Sequence, residues 1–282
     1  MCQQDTTLKK YLKILLQVLF WNVVIGSVFV FTVYETINLK FIINTLFPLN
    51  NVGNSGSFTT SYLFFYLCIP FLNLMLKAMD RKTHKLFLIG GIIMFSVLPS
   101  IGFKTVFNSI IWFSIVYLIG AYLKLYNPLA FSVRFYAFST IAMLFLSLGS
   151  ILMLLKIGII FGKFAPYFLV NEENKVLALL LSLACFIFFV NLNIRNYKFI
   201  NIISSACFGV LLIHANSAAM RTWLWKDVVD CQGHYGAPWM LVYAITSVLL
   251  IYIVCTILEI IRIKYFENVI LNNVHHLLCK YF

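Results

Sequence analysis

The segment Trp239–Ile263 reads WMLVYAITSVLLIYIVCTILEIIRI, and its first charged residue is Glu259. A helix needs about 20 consecutive apolar residues to cross the hydrocarbon core of a bilayer. Comparable runs recur along all 282 residues, and only 11% of the chain is charged, against about 25% in soluble domains. The sequence therefore predicts an all-α, polytopic transmembrane helical bundle, since these continuous runs lack the alternation of barrel strands.

The apolar runs predict eight spans joined by short loops. They lie at about Tyr11–Tyr34, Thr60–Met79, Leu86–Phe103, Val106–Leu125, Phe131–Leu155, Val176–Val190, Ile200–Met220 and Trp239–Ile263. If the N-terminus is cytoplasmic, most of the 21 Lys and Arg residues fall in inner loops, as the positive-inside rule requires. We therefore predict an N-in/C-in membrane protein. Residues 1–282 form a single integral membrane domain, which ends in a short cytoplasmic tail at residues 265–282.

The loops also explain the net charge of +12. Basic residues between spans set topology, so the positive charge predicts no nucleic-acid partner. His84 is assigned to one of these basic inner loops. The tail holds His275, His276 and Cys279. A zinc site needs three or four ligands at fixed spacing, and a fourth is missing here, so no metal site is predicted.

The segment Phe208–Arg221 reads FGVLLIHANSAAMR and carries the candidate chemistry. His214 is the only one of the five histidines inside an apolar segment. Burying an imidazole in hydrocarbon is costly unless it is paired, so an intramembrane histidine is a functional candidate. Imidazole is also the side chain best suited to proton transfer near neutral pH. The alternative is a structural histidine bonded to a neighbouring helix.

The positions around His214 extend this hypothesis. Asn216 follows two residues later and Arg221 seven residues later. A helix returns to the same face after seven residues, so His214 and Arg221 share a face if the helix is continuous. Alternatively, Arg221 snorkels to headgroup phosphates.

Glu259 and Arg262 are predicted to form a helix-surface pair. The absence of acids and lysines at mid-depth in the predicted spans counts against a proton-coupled transporter.

Four stretches carry a family resemblance: LKKYLKILLQVLFW (Leu8–Trp21), SYLFFYLCIPFLNLMLK (Ser61–Lys77), IIWFSIVYLIGAYLKLY (Ile110–Tyr126) and FGVLLIH (Phe208–His214). They resemble the membrane acyltransferase 3 family, multispan O-acyltransferases that modify cell-surface polysaccharides. Each is similar to a family segment, and they follow the family's order and spacing over essentially the whole chain.

The resemblance implies a multi-pass acyltransferase of the plasma (inner) membrane, with acyl-CoA, commonly acetyl-CoA, as donor substrate. The acceptor would be a hydroxyl of a polysaccharide or lipid-linked sugar, in contact with membrane lipids, and no bound cofactor is implied. His214 becomes the catalytic candidate, as an imidazole that orients the acceptor hydroxyl. Asn216 and Arg221 would bind sugar or stabilise charge. Three aromatic residues are candidate cavity walls, with plain helix packing as the alternative: Tyr62, Trp112 and Tyr117.

The sequence also departs from the family. There the base ends an Arg/Lys-x10-His motif in the first span, whereas the only such spacing here joins Lys264 to His275 in the tail. The stretch Gly56–Tyr62 also differs from the Tyr-Trp-Phe of relatives. We therefore expect a chain that lacks the family's first two spans, through an upstream start or a truncated gene, and its own activity is left open. The alternative functions are a polysaccharide flippase or transporter, and a non-catalytic membrane partner in polysaccharide assembly.

Overall fold

The computed structural model describes residues 2–32, 36–47, 58–105, 107–126, 131–162 and 164–267, with side chains from Lys10 onward. The regular structure of these residues is helical, with no β-strand among them, which confirms the all-α part of the predicted fold class. The helices are α1 (Cys2–Phe31), α2 (Leu39–Leu46), α3 (Phe58–Ala78), α4 (Arg81–Ile92), α5 (Leu98–Ser100), α6 (Ser109–Tyr126), α7 (Val133–Phe161), α8 (Val176–Asn191), α9 (Lys198–His214), α10 (Ala218–Thr222) and α11 (Met240–Arg262).

Single π-helical turns extend three of these helices. They span Ile93–Val97 between α4 and α5, Trp223–Val228 after α10, and Ile263–Glu267 after α11. In a π-helical turn the backbone bonds run to the fifth residue rather than the fourth, and such turns often occur near functional sites.

Six helical segments within the described residues are long and apolar enough to cross a membrane. They are Lys10–Phe31, Phe58–Ala78, Arg81–Ser100, Ser109–Tyr126, Val133–Phe161 and Met240–Glu267. The bent pair Lys198–His214 and Ala218–Val228 makes a seventh if it counts as one span. The predicted sixth span is present as α8, an apolar helix of 16 residues. These helices fit a multi-pass membrane protein, while eight spans and the N-in/C-in orientation stay predictions.

The chain divides into two compact units. Unit 1 comprises residues 1–64 and 196–282, and unit 2 comprises residues 65–195. The single-domain organisation stays a prediction. The predicted tail begins within the last described turn, and its residues 268–282, with His275, His276 and Cys279, lie outside the described residues.

In unit 1, α1 packs against α2, α9 and α10, and α9 packs against α11. Among the buried apolar positions of α1 are Val18, Trp21, Ile25 and Phe29. They are three or four residues apart, which places them on one face of a helix. The same face also buries the amide of Gln17, so α1 presents polar as well as apolar groups to the interior of unit 1.

In unit 2, α4 packs against α6, and α7 packs against α8. The core here consists of Leu88, Trp112, Ile115, Leu118, Ile119 and Leu179. The assignment of His84 to a loop is wrong, because α4 begins three residues earlier and His84 is fully buried. Its Nε2 lies 3.1 Å from the Leu118 carbonyl oxygen, and its ring meets the edge of Tyr122.

The early start of α4 has a local cause. The Asp80 carboxylate accepts a hydrogen bond of 3.1 Å from the backbone N–H of Thr83. Asp is among the preferred residues at this position, because its oxygen satisfies an N–H that has no partner within the helix. The cap therefore begins the helix at Arg81 and carries His84 into the core.

The Asp80 cap should make the stability of unit 2 depend on acid. Hydrogen bonds from the side chain and backbone of Thr83 hold the pKa of the Asp80 carboxyl below its usual value. Such a group stabilises the fold above its unfolded pKa, and the contribution is lost as the pH falls through the folded pKa. We expect Asp80→Asn, which keeps a capping oxygen, to lose this acid dependence below about pH 4. Thermal unfolding in detergent measures it, and identical acid profiles for wild type and variant would contradict it.

Candidate functional site

The candidate site surrounds the break between α9 and α10. Helix α9 ends at His214, and α10 begins at Ala218 after a bend of 94°. Ser217 caps α10, because its hydroxyl accepts a hydrogen bond of 3.1 Å from the backbone N–H of Met220. Asn and Ser compete with the helix for backbone groups and favour caps and turns, so the sequence HANS breaks the helix.

The break corrects the predicted relation of His214 to Arg221. Their shared face required a continuous helix through both residues, and the helix turns away after His214. Arg221 is exposed and lies on α10, whereas His214 is half-buried at the end of α9. The seven-residue spacing therefore does not by itself place a guanidinium above the imidazole.

The His214 ring is held by its own helix rather than by a neighbouring one. Its Nδ1 lies 2.6 Å from the carbonyl oxygen of Val210, one turn earlier. A carbonyl only accepts hydrogen bonds, so Nδ1 carries the proton and Nε2 of the neutral ring keeps its lone pair. Within the described part of the chain, Nε2 makes no hydrogen bond. The arrangement leaves a half-buried imidazole nitrogen able to accept a proton.

A cavity of about 400 Å³ opens in unit 1 beside the break. Its walls come from α1, the segment around α2, the start of α3, and the residues between α9 and α10. Most of the lining side chains are neutral amides and hydroxyls: Asn22, Asn38, Asn44, Asn216, Thr45, Thr59, Thr60 and Ser217. Lys40 is the one charged residue among the described lining residues, which include no carboxylate.

Asn216 connects the break to α1 across this cavity. Its side-chain N–H group donates to Asn22 Oδ1 at 3.1 Å and to the Leu212 carbonyl oxygen at 3.1 Å. The first of these bonds joins residues 194 positions apart in the chain. One wall of the cavity is therefore tied directly to the residues that follow His214.

The predicted site residues fall into both units. His214, Asn216, Arg221 and Tyr62 belong to unit 1, and Trp112 and Tyr117 belong to unit 2. Asn216 lines the cavity, whereas His214, Arg221 and Tyr62 are not among its lining residues. The Tyr62 ring lies 5.5 Å from the ring of Phe208, measured between centroids.

The two aromatic residues of unit 2 have packing roles there. Trp112 is 2% exposed within the apolar core, and the Tyr117 hydroxyl donates to Asn73 Oδ1 at 2.7 Å. Helix packing, which was the alternative interpretation, accounts for both contacts.

A second polar cluster lies inside unit 1, centred on Glu259. This carboxylate is fully buried. It accepts hydrogen bonds from Gln17 Nε2 at 2.9 Å and from Trp21 Nε1 at 2.7 Å, both on α1. Arg262 donates to it through Nε at 3.0 Å and through Nη2 at 2.7 Å. The predicted pairing of Glu259 with Arg262 is confirmed, but its placement on the helix surface is wrong.

Two further charges extend this cluster. Arg262 Nη2 also donates to Glu267 at 2.9 Å, and Lys13 Nζ lies 2.6 Å from the same carboxylate. We call Lys13, Glu259, Arg262 and Glu267 the ion network. Its two acids and two bases balance, so the interior of unit 1 holds no net charge from them. Lys13 is half-exposed, and the other three are buried.

Glycine makes room for this cluster on α9. A Cβ atom added at Gly209 would lie 2.2 Å from the Glu259 side chain, far inside normal contact distance. Helix α9 packs against both α1 and α11. The Glu259 carboxylate therefore reaches α1 from α11 by passing over Gly209.

The sequence interpretation missed most of the cavity and most of the ion network. A usable signal was present at Gln17 and Asn22, two amides inside the first apolar run, because buried amides require partners. Metal ligation has no candidate: the residues that the structure describes contain no group of three or more His, Cys, Asp or Glu side chains able to hold a metal ion.

Comparison with known proteins supplies no assignment. No family model, curated protein or solved structure matches this chain.

Proposed function

We propose that this protein is a plasma-membrane O-acyltransferase that moves an acyl group, with acetyl the first candidate, from acyl-CoA to a hydroxyl of a surface or exported polysaccharide. The observation that carries the proposal is the cavity of about 400 Å³, lined mainly by neutral amide and hydroxyl side chains. Its volume falls in the range of small-molecule sites. The resemblance of four sequence stretches to the acyltransferase 3 family supports the same reaction.

The lining chemistry suits a sugar. Each sugar hydroxyl both donates and accepts hydrogen bonds, and an amide side chain offers two donors and one accepting oxygen. Asn22, Asn44 and Asn216 supply such groups from three different parts of the chain. The described lining contains no carboxylate, so it offers no acidic group for the proton coupling that a transporter requires.

The transfer also needs a base. The acceptor oxygen attacks the thioester carbonyl, its proton passes to a base, the C–S bond breaks, and the thiolate of CoA leaves and takes up a proton. His214 Nε2 has the lone pair for this role, because Nδ1 is committed to the Val210 carbonyl oxygen. In the proposed complex the sugar binds Asn216, and its reacting hydroxyl reaches past the break to Nε2.

The ester content of the surface polysaccharide tests this function. Cells with the gene should carry alkali-labile acetyl esters that are absent after its deletion. His214→Ala should lower ester formation at least about 100-fold, the smallest effect expected from removing a general base. The measurement is acetate released by mild alkali from purified polysaccharide.

His234→Ala is the matched control, since this histidine also lies in unit 1 but stacks on Tyr243 at 4.0 Å, outside the cavity. It should leave the ester content unchanged. Equal ester content in the deletion strain and the parent would reject the enzyme and favour a non-catalytic partner. Esters lost on deletion but retained in His214→Ala would reject His214 as the base.

A further inference from the structure

The ion network is bonded to α1, the helix that also forms part of the cavity wall. Lys13, Gln17 and Trp21 are four residues apart on α1, so they form one stripe along the helix, and all three bond to the Glu259–Glu267 part of the chain. Asn22 follows Trp21 directly and lines the cavity. We infer that the ion network is a register lock, which sets the axial position of α1 and thereby positions Asn22 at the cavity wall.

Apolar packing alone sets this position weakly. Lipid tails are as apolar as the helix faces, so there is little hydrophobic drive to favour one helix register over another. A slip of one turn moves a helix by about 5.4 Å, which no hydrogen bond of 2.7–2.9 Å between Glu259 and α1 would survive. Buried polar pairs are known to specify register for this reason.

Gly209 brings α9 into the same lock. The Glu259 carboxylate occupies the space where any other residue at position 209 would place its Cβ atom. A slide or rotation of α9 would carry the side chain of Phe208 or Val210 into that space. His214 lies five residues beyond Gly209, or about 7.5 Å along the helix axis. The lock therefore positions the end of α9 as well as α1.

The consequence appears at the Asn22–Asn216 hydrogen bond. This bond of 3.1 Å joins α1 to the break, and both residues line the cavity. It forms only when α1 stands in one register relative to the end of α9. The inference concerns this geometry and does not depend on the reaction proposed above.

Cross-linking of paired cysteines reads the register directly. In full-length protein whose seven native cysteines are replaced by alanine, Asn22→Cys with Asn216→Cys reports the native register. Val18→Cys with Asn216→Cys is the matched control, since Val18 also lines the cavity one turn away on α1. Copper phenanthroline in native membranes forms the disulfides, and the yield of the 22–216 pair should exceed that of the 18–216 pair several-fold.

The decisive variant removes the polar centre of the lock without leaving an unpaired charge there. The triple change Gln17→Leu, Glu259→Leu and Arg262→Met replaces polar groups by apolar ones of similar size, which is often tolerated. We expect this variant to migrate as a folded species on size exclusion in detergent, while its 22–216 to 18–216 yield ratio falls toward one. A ratio equal to that of the parent protein in the folded variant would overturn the inference.

Lys13→Met provides an independent measurement if the triple variant does not fold. Lys13 is half-exposed, and its change breaks only the bond to Glu267. We expect the yield ratio to fall, but by less than in the triple variant, since one of the three α1 contacts to Glu259 and Glu267 is lost. An unchanged ratio here would also count against the lock. Loss of acetyl esters plays no part in either measurement, so failure of the proposed function would leave the result intact.

Discussion

Glu259→Leu should destabilise unit 1 by about 3–5 kcal/mol, the cost of breaking a buried ion pair by removing one partner. The change leaves the Arg262 guanidinium with Glu267 alone, and it strips the Gln17 and Trp21 N–H groups of their acceptor. Every one of these groups is buried, so water cannot replace the lost bonds. Denaturant unfolding in detergent, followed by Trp fluorescence, measures the free energy of unfolding.

Glu172→Leu is the matched control. Glu172 also pairs with a base three residues on, at 3.6 Å from Lys175 Nζ, but its side chain is 57% exposed. Only the Lys175 side chain is buried, at 7% exposed, and it keeps its bond to the Pro99 carbonyl oxygen. Because the Glu172 carboxylate lies largely in solvent, we expect its removal to cost about 1 kcal/mol or less. Equal losses for the two substitutions would show that burial of the Glu259 pair has no energetic role.

Gly209→Ala should destabilise unit 1 strongly for a change of one methyl group. The new Cβ would stand 2.2 Å from the Glu259 side chain, and the carboxylate cannot retreat without breaking its bonds to α1 and Arg262. Overpacking typically costs about 1–3 kcal/mol, and we expect a value at the upper end. The same unfolding measurement gives the number.

Gly149→Ala in α7 serves as the control, because nothing lies within 4 Å of a Cβ at that position. Alanine is the better helix former, so this change should leave stability equal or raise it by up to about 1 kcal/mol. A second comparison sharpens the result. In a Glu259→Ala background, which removes the Cγ and the carboxylate that the new Cβ would meet, Gly209→Ala should act non-additively, as substitutions at contacting residues do. If the two losses of unfolding free energy add fully, then contact with the Glu259 side chain is not the reason that alanine destabilises position 209.

The two polar features of unit 1, the ion network and the cavity, differ in the charge of their side chains. The ion network satisfies its charges internally, through the Glu259 and Glu267 bonds to Arg262 and Lys13. The cavity wall is mostly neutral, with Asn22 and Asn216 among its amides and Lys40 as the one charged residue of its described lining. None of the four residues of the ion network is among the residues that line the cavity.

Part of the candidate site could be predicted from the sequence and part could not. His214 and Asn216 were identifiable because polar groups inside an apolar run stand out without knowledge of their neighbours. The role of Gly209 could not be identified from the sequence. A glycine in a helix has the same local sequence pattern whether open space or a carboxylate lies beside it. The condition for a face shared by His214 and Arg221, a continuous helix, is not met, because α9 ends at His214 and Ser217 caps a new helix, α10.

By itself, the sequence determined that this chain is helical and built of membrane-length apolar segments. Those properties depend on residues close together in the chain, because run length and three-to-four-residue periodicity are local. Only the tertiary structure decided that Glu259 meets Gln17 and Trp21, which are 242 and 238 positions away. Hydrogen-bond partners this far apart in the chain are decided by which helices pack together and by the distance between those helices. In unit 1 that closeness depends on the missing side chain of Gly209.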